Sequence, residues 1–440
     1  MLSKEEFIME FSRFDQLKDQ FQGELHLATK DGDDNVLVCR HFSIPYKTAW
    51  TKPIQVDEGT KEGSESVYTH HINTKGYDFL TGVNLNVLLP SISVKKECQD
   101  FIRICWPHNV GHHIIEESLF FADSKKYQRI SNTYLDSVRA FLQHEKQETY
   151  DKLIGSISSL EEWSSFLPKY QLSIPQPFFY SADQYSALPL FASMQSIMSH
   201  DFKIRTIPNL LRIQKKVDDI WEDISFVDAS EYLKDVKETF NTPTVTCFYN
   251  NISDGEKEAI LDKDYSIYVD NVITLTSQNH CTLGSNCSIS LHAKVPCRAI
   301  FLKAIPSNVS KTKNYGNYTN SENFRNGSSV IKSVTLNVDG KEYIEFNSTA
   351  LELVNPYRYF PSCSKENGYG AISLSVDPFS IDKWSGVTFV PELSSYISVS
   401  LSNSDSYGKS SYHEDFIVIV DLIVTRKLKF SKGKMEICYE

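Results

Sequence analysis

Apolar and polar residues alternate in short stretches along most of this chain. In residues 83–89, Val and Leu occupy positions 83, 85, 87 and 89, and Asn84 and Asn86 lie between the first three of them. Residues 396–401 alternate apolar residues with Ser, and residues 334–338 alternate up to Asp339-Gly340, a tight-turn signal. Successive side chains on a strand point to opposite faces, so this pattern is typical of antiparallel sheets with one wet face. It predicts sandwich walls rather than a catalytic cleft.

Two stretches have helical spacing instead. Ser3 and Glu6 form a capping-box pair ahead of a stripe of apolar residues, which predicts an amphipathic helix over residues 3–21. A second helix is predicted from Thr133 to Lys152. The first helix could pack on its own protein, on a neighbouring copy or on an inner layer. A position on a membrane is disfavoured because acidic residues offset its few Lys and Arg.

At 440 residues, the chain exceeds the usual size of a single core, so two domains are expected. We predict a helical arm over residues 1–23, a first sandwich over 24–238 and a second over 239–440. Pro243 is expected to open the second sandwich, with Thr244–Tyr249 as its first strand. Residues 305–329 are polar and nearly free of aliphatic side chains, which predicts a long surface loop.

Composition limits the possible functions. The hydrophobic content of 41% is enough for sizeable cores, and the net charge of −11 argues against a large nucleic-acid-binding face. No window approaches the roughly 18 uncharged apolar residues that a membrane-spanning helix needs. The nine cysteines include no C-x-x-C pair, which favours free buried thiols made in a reducing cytoplasm.

Candidate metal ligands and catalytic residues are weak. A zinc site from Cys281, Cys287 and Cys297 with His280 or His292 fits no common spacing. His112 and His113, beside Glu116 and Glu117, are a better candidate for a metal site. Neighbouring residues of a strand point to opposite faces, however, so the two histidines could not bind one ion together. The same argument applies to residues 70 and 71, which are also both His. Neither a nucleophile elbow nor a phosphate-binding loop is present, and no carboxylate pair stands out. We predict no enzyme activity and no catalytic, cofactor or metal site.

The chain is rich in glycosylation sequons. Six N-x-S/T sequons lie between Asn251 and Asn347, and chance explains most of them in a chain rich in Asn and Ser. Asn308, Asn317 and Asn326 fall in the predicted surface loop, and they are the weak candidates for a modified asparagine.

Several motifs follow one another in an order that resembles a known family. They are Ile174–Tyr180, Ala187–Leu190, Ser290–Val295, Ala299–Leu302, Leu353–Tyr357, Ile372–Leu374, Trp384–Gly386 and Thr388–Phe389. This order is similar to that of the double jelly-roll major capsid proteins of nucleocytoplasmic large DNA viruses, over roughly residues 65–430. Near the last strand the chain departs from the family, with Asp421–Val424 and Ser431–Met435 in place of an Asn-Tyr-Asn segment and a Gly-rich tail.

The resemblance implies two consecutive antiparallel jelly rolls of eight strands each, with helical insertions in loops. It implies a homotrimeric, pseudo-hexagonal capsomer that contacts neighbouring capsomers and tiles an icosahedral shell. Residues 305–329 would rise outward, and residues 1–21 would face minor capsid proteins or an internal membrane layer. The protein would be made and assembled in the host cytoplasm, without direct contact with nucleic acid.

Other functions stay open. A minor jelly-roll capsid component or a transient virion scaffold would share the fold. A carbohydrate-binding jelly roll is a further alternative, with Trp384, Tyr357 and Tyr359 as a stacking platform for sugars.

Overall fold

The computed structural model describes residues 50–51, 55–58, 60–61, 67–142, 146–182, 186–234, 236–252, 254, 257–258, 265–379, 386–389, 395–402 and 415–438. The predicted arm over residues 1–23 and Trp384 lie outside the described residues.

The first half of the chain forms a sandwich. Its strands β1 to β17 are Trp50–Thr51, Gln55–Glu58, Thr60–Lys61, Val67–His71, Phe79–Leu89, Ile92–Val94, Ile102–Cys105, Ile115–Ala122, Lys125–Ser131, Phe166–Leu167, Tyr170–Pro175, Leu188–Pro189, Met198–Ile204, Arg212–Val217, Ile220–Asp223, Leu233–Lys234 and Thr244–Asn251. One sheet has the order β1-β17-β5-β11, with β2 on β17 and β12 on β5, and the other has the order β3-β4-β13-β8-β9. Two three-stranded sheets, β10-β6-β16 and β15-β14-β7, complete this half. Apolar side chains of both large sheets share one core.

The second half forms another sandwich. Its strands β18 to β28 are Tyr265–Thr276, Cys281–Thr282, Asn286–Ser290, Ala293–Pro306, Ile331–Val338, Lys341–Asn347, Gly370–Ser373, Val387–Phe389, Tyr396–Leu401, Asp415–Ser431 and Lys434–Ile437. A seven-stranded sheet runs β18-β27-β21-β24 with β19, β25 and β28 attached, and it faces a four-stranded sheet, β20-β26-β22-β23. The pairings are antiparallel. The predicted all-β double sandwich is confirmed, and eight strands in each half stay a prediction.

Short helices fill the connections. Helices α1 to α7 are Val110–Ile114, Asn132–Leu142, Gln147–Ile154, Ser158–Glu161, Phe226–Ala229, Val309–Thr312 and Asn355–Tyr359, and a π-helical turn over Ala350–Val354 leads into α7. The predicted single helix over residues 133–152 is wrong, because Lys146, directly ahead of α3, has a non-helical conformation (φ −112°, ψ 15°). The sequence that leads to Lys146 is polar and offers no apolar side chain for a helix to bury. None of the helices in the described ranges is long and apolar enough to cross a membrane.

The strand that we expected to open the second sandwich completes the first. β17 pairs with β5, from Thr244 opposite Asn86 to Asn250 opposite Phe79. Its inward side chains, Val245, Cys247 and Tyr249, are almost fully buried in the first core. The predicted boundary between residues 238 and 239 is wrong for this strand, because alternation identifies a strand but not the sheet that receives it.

Strands β21 and β27 are buried on both faces. Leu302 and Val420 point into the core of the second sandwich, whereas Phe301 and Ile423 join the core of the first. Phe301 stacks on Phe141 of helix α2, with ring centroids 5.1 Å apart. The two halves therefore share a packed junction rather than a flexible linker.

A buried ion pair lies in this junction. Lys303 and Asp421 are 1% and 0% exposed, with 3.1 Å between Nζ and Oδ2. Lys303 also donates to the backbone oxygen of Thr133 (2.6 Å) and to the hydroxyl of Ser137, and Thr274 donates to Asp421 (2.7 Å). These bonds offset the large cost of taking two charges out of water.

The predicted surface loop over residues 305–329 is also wrong in its central part. Ile305 and Pro306 end β21, and Asn317, Tyr318 and Thr319 are each about 1% exposed. Gly316 makes this close packing possible, because its φ of +73° suits glycine and an added Cβ would lie 2.7 Å from the backbone oxygen of His108. The polar sequence of residues 317–319 gave no sign of this burial, because their polar groups form hydrogen bonds within the junction and not with solvent. The expected outward tower is therefore not supported for this central part.

We expect Lys303→Met to lower the free energy of unfolding by about 3–5 kcal/mol, because it leaves the Asp421 carboxylate buried without its cation. The double variant Lys303→Met/Asp421→Leu should recover most of this loss, since no unpaired charge remains. Urea unfolding of both variants checks the prediction.

Lys332→Met is the matched control, because Lys332 is exposed on β22. It should change stability by less than about 0.5 kcal/mol. A loss for Lys303→Met no larger than that of the control would contradict a buried ion pair.

Candidate functional site at the junction of the two sandwiches

Histidines that we expected on a strand lie on a helix. Asn109 has a left-handed conformation (φ 53°) that turns the chain from β7 into α1, which carries His112 and His113. Both imidazoles face the same carboxylate, Asp136 on α2. The expectation of opposite faces is wrong here, because it assumed strand geometry. It is confirmed for His70 and His71 on β4, of which only His70 is buried.

Asp136 is a fully buried hub for donors from both sandwiches. Its carboxylate accepts from His112 Nδ1 (2.6 Å), Asn109 Nδ2 (3.0 Å) and the hydroxyl of Tyr318 (2.5 Å), and His113 Nε2 lies 3.0 Å away. Burial alone would raise the pKa of Asp136, but the two imidazoles lower it well below its usual range. Tyr318 comes from the second sandwich, so this carboxylate ties the two halves together.

The two imidazoles beside Asp136 are neutral. Burial lowers the pKa of His112 and of His113, despite the neighbouring carboxylate. A neutral His112 donates from Nδ1 to Asp136 and accepts at Nε2 from the hydroxyl of Tyr150, 3.0 Å away. Both ring nitrogens of His112 are therefore committed.

His108, by contrast, is charged. It lies between Glu161 (2.7 Å) and Glu366 (2.9 Å). Burial would lower its pKa, but the two carboxylates outweigh burial and raise it to about 10. Glu366 also receives Arg139 Nη1 (3.0 Å), and these two cations, opposing its burial, lower its pKa to about 2. Glu366 belongs to the second sandwich and both cations belong to the first, so this is a second ionic bridge between the halves.

The junction holds polar groups together and offers no reactive atom to solvent. His112, Asp136 and Tyr150 include residue types of hydrolytic sites, but they are at most 4% exposed. In the described ranges, no group of three or more His, Cys, Asp or Glu side chains is arranged to hold a metal ion. Cys281 and Cys297 are buried in the second core, whereas His280 and His292 are exposed, so the zinc set that we considered does not converge. The geometry supports a structural role, in which these buried polar groups hold the two halves in a fixed arrangement.

The remaining candidate residues differ in their exposure to solvent. Tyr357 is 85% exposed, whereas Tyr359 packs partly against the first core. Residues two apart on a helix point in different directions, which disfavours a shared sugar platform. Asn308 and Asn326 are exposed, but Asn317 is 1% exposed and donates its amide to the backbone oxygen of Ser321 (2.7 Å). Asn308 and Asn326 stay predictions for glycosylation, and burial disfavours Asn317.

Comparisons with known proteins agree over both halves. The family model described as "Major capsid protein N-terminus" matches residues 51–252. The major capsid protein of Wiseana iridescent virus is 22% identical over 427 residues, which cover 88% of this chain and 86% of the relative. The Faustovirus major capsid protein superposes with a TM-score of 0.70 at 10% identity, over 95% of this chain and 98% of that one. Over both halves, this chain is similar to double jelly-roll major capsid proteins.

A second solved structure extends this match. The crystal structure of PBCV-1 VP54, which was fitted into a reconstruction of the virophage Sputnik, superposes with a TM-score of 0.66 at 12% identity, over 89% of this chain and 98% of VP54. The resemblance to capsid proteins of large DNA viruses seen in the sequence is confirmed. The family model ends at Ile252, directly after β17, in agreement with that strand closing the first jelly roll.

We expect Glu366→Gln to lower the free energy of unfolding by about 3 kcal/mol, because His108 and Arg139 lose the carboxylate that they share. Glu345→Gln is the control, since Glu345 is exposed on β23. Urea unfolding measures both variants. Equal stability of the two variants would contradict the ionic bridge.

The raised pKa of His108 also predicts a pH dependence. Its contribution to stability is complete below its usual pKa of 6.5 and is lost as the pH rises towards about 10. His108→Gln should therefore be destabilised most at and below pH 6.5, and the stabilities of wild type and variant should converge near pH 10. Urea unfolding at intervals between about pH 6 and 10 tests this, and a stability difference that does not change with pH would contradict it.

Proposed function

We propose that this chain is a major capsid protein of a large DNA virus, and that it assembles as a homotrimeric, pseudo-hexagonal capsomer that tiles an icosahedral shell. The observation that supports this most is the junction between the jelly rolls. A shell subunit has to transmit load without bending, and a rigid block serves that purpose better than two linked domains.

The buried junction supplies that rigidity. Phe301 on Phe141, Lys303 with Asp421, and Tyr318 on Asp136 cross or line the contact between the halves. Each copy contains two similar sandwiches, so a trimer would place six sandwiches around its threefold axis. Such a trimer would have a pseudo-hexagonal outline.

Exposed apolar side chains support self-association. Leu353, Val354 and Tyr357 on the π-helical turn and α7 are 55%, 59% and 85% exposed, and the nearby segment after β24 exposes Val376 (92%). Contiguous apolar exposure of this kind marks protein contacts more often than solvent-facing surface. We therefore assign residues 353–357 to an interface between copies.

Further partners follow from the same proposal. Residues 1–23 would face minor capsid proteins or an internal membrane layer beneath the shell, and neighbouring capsomers would contact the rim. With a net charge of −11, direct binding to DNA is not expected. The protein would belong to the virion capsid, be assembled in the host cytoplasm and catalyse no reaction.

A minor jelly-roll capsid component or a transient scaffold is the second candidate, because the chain diverges strongly from its relatives, at 22% identity. Copy number separates these roles. A principal capsomer dominates the protein mass of mature particles, a minor component is scarce there, and a scaffold is absent.

Light scattering of the purified chain should give three times its mass of 50.3 kDa at micromolar concentration. Negative-stain images of the same sample should show a hexagonal outline. A monomer that persists at high concentration would count against a self-assembling capsomer.

Tyr357→Asp sharpens this test, because it places a charge within the exposed apolar segment. We expect at least a tenfold weaker trimer, in line with the weight of tyrosine at interfaces. Tyr343→Asp is the matched control, since Tyr343 is also exposed (56%) but lies among Lys341, Glu342 and Glu345. If both variants weakened the trimer equally, the interface would have to lie outside residues 353–357.

A further inference from the structure

A loop at one end of the first jelly roll exposes two apolar side chains. Residues 190–197 connect β12 to β13, and Met194 and Ile197 in this loop are 63% and 74% exposed. The backbone of the loop is fixed from within, because the hydroxyl of Ser193 donates to the backbone oxygen of Pro189 (2.5 Å). The loop therefore presents an apolar pair in a preorganised arrangement.

Three turns surround this loop and are hydrogen-bonded to it or to its ends. In the turn between β4 and β5, Ile72 donates its backbone N–H to the first residue of β13 (3.0 Å). In the turn between β8 and β9, the carboxylate of Asp123 accepts from the N–H of Ile197 (2.9 Å). In the turn between β27 and β28, the backbone oxygen of Gly433 accepts from the N–H of Gln195 (2.9 Å). The loop and the three turns form one continuous surface.

Each of the three turns carries exposed lysine. The lysines are Lys75 after β4, Lys126 at the start of β9, and Lys432 and Lys434 in the β27–β28 hairpin. In the part of the chain that the structure describes, none of these four side chains forms an ion pair. We call residues 73–76, 123–126, 194–197 and 432–434 together the lysine-rich surface.

Carboxylates in and beside these turns do not cancel this charge. Asp78 is buried and paired with Lys257 (3.0 Å). Both oxygens of Asp123 accept from the loop, one from the hydroxyl of Ser196 and the other from a backbone N–H. Among the described residues, Glu436 is the exposed carboxylate that remains beside the β27–β28 turn. The lysine-rich surface is thus positive on a chain whose net charge is −11.

The chain enters the described structure at this same end. Trp50 of β1 pairs with Asn251 at the end of β17. The amide of Asn251 donates to the backbone oxygen of Gly76, beside Lys75 (3.5 Å). In the proposed capsomer, the segment ahead of Trp50 faces the interior of the shell, so the lysine-rich surface would face the interior as well. This direction rests on the proposed function, whereas the binding argued below does not.

Lysine combined with aliphatic side chains favours a membrane surface over a protein or a nucleic acid. Protein interfaces are depleted of Lys and enriched in Arg and aromatic residues, and single-stranded nucleic acids stack on aromatic residues and Arg. The phosphates of a DNA duplex would attract the lysines but leave Met194 and Ile197 in water. An anionic bilayer suits both kinds of side chain, because its headgroups attract Lys and its acyl boundary receives apolar groups.

We propose that the lysine-rich surface binds an anionic phospholipid bilayer. The four lysines would contact headgroup phosphates, and Met194 and Ile197 would enter the boundary between headgroups and acyl chains. In a virion, this contact would attach the capsomer to a membrane beneath the shell.

Flotation of the full chain with vesicles tests the proposal. The probe vesicles contain phosphatidylcholine with about 30 mol% phosphatidylserine, and the reference vesicles contain phosphatidylcholine alone. We expect at least tenfold tighter binding to the anionic vesicles. Raising the salt from about 0.05 M to about 0.5 M should remove most of this preference, because salt screens the attraction between lysine and phosphate.

A charge-reversal variant locates the electrostatic part of the surface. Lys432→Glu/Lys434→Glu should weaken binding to the anionic vesicles at least tenfold, because it replaces attraction by repulsion. Lys311→Glu/Lys332→Glu is the matched control, since it makes the same change of charge at two exposed lysines outside the lysine-rich surface. The control should bind within about twofold of the unmodified chain.

A second variant locates the apolar part. Met194→Ser/Ile197→Ser should weaken binding about tenfold, because it removes the side chains that would leave water. Ile220→Ser/Val227→Ser is its control, since these residues are 64% and 79% exposed and lie outside the lysine-rich surface. Melting temperatures identify a variant that fails to fold, and the other surface variant then decides.

Three results would overturn the proposal. The first is binding to the anionic vesicles that is absent or no tighter than binding to the neutral ones. The second is equal affinity of the surface variants and their controls. The third is binding to polyglutamate or to a DNA duplex without binding to the vesicles, which would assign the surface to a protein or a nucleic acid. Vesicle binding is measured for a monomer and a trimer alike, so failure here is separable from failure of the capsomer proposal.

Discussion

Satisfaction of buried charges at the junction of the two jelly rolls is the constraint on which this structure depends. Asp421 is fully buried in the central strand of the second jelly roll, and Asp136 is fully buried in a helix of the first. Each carboxylate would be costly alone, but Lys303 balances Asp421, and donors that include Tyr318 saturate Asp136. Lys303 and Asp421 both belong to the second jelly roll, but Lys303 also donates to Thr133 and Ser137 of the first. Because these bonds and the bond from Tyr318 to Asp136 form only when the halves dock in one orientation, they select that orientation, whereas apolar contact alone tolerates sliding.

Local periodicity was enough to predict the class of the fold. Residues 83–89 and 396–401 form strands with the predicted alternation, because burial on one face imposes a period of two. The same reasoning failed for Thr244–Asn251, whose alternation is equally clear but whose sheet depends on contact with residues more than 150 positions away. It also failed at residues 110–114, where a left-handed Asn109 starts a helix in a segment that is too short to show a helical period.

Little of the junction could be predicted, because its members are scattered along the sequence. His108, Asp136, Tyr318 and Glu366 share no spacing motif, and the polar segment that carries Tyr318 has the composition of a surface loop. One signal was available. Asp421 interrupts the longest apolar run, and Lys303 directly follows the apolar stretch Ile300–Leu302. A charged residue in a strand that is otherwise apolar needs a partner if the strand is buried on both faces, so these two charges indicated a second buried face.

The position of β27 in the chain has a consequence for biosynthesis. This strand, Asp415–Ser431, lies between β18 and β21 and pairs with both along most of its length. More than a hundred residues separate β21 from β27, so the nascent chain carries two long strands with open edges while those residues are added. The seven-stranded sheet of the second jelly roll therefore cannot be completed until β27 has been made. When many copies are synthesised close together, the open edges of β18 and β21 can pair with those of other chains before β27 is available.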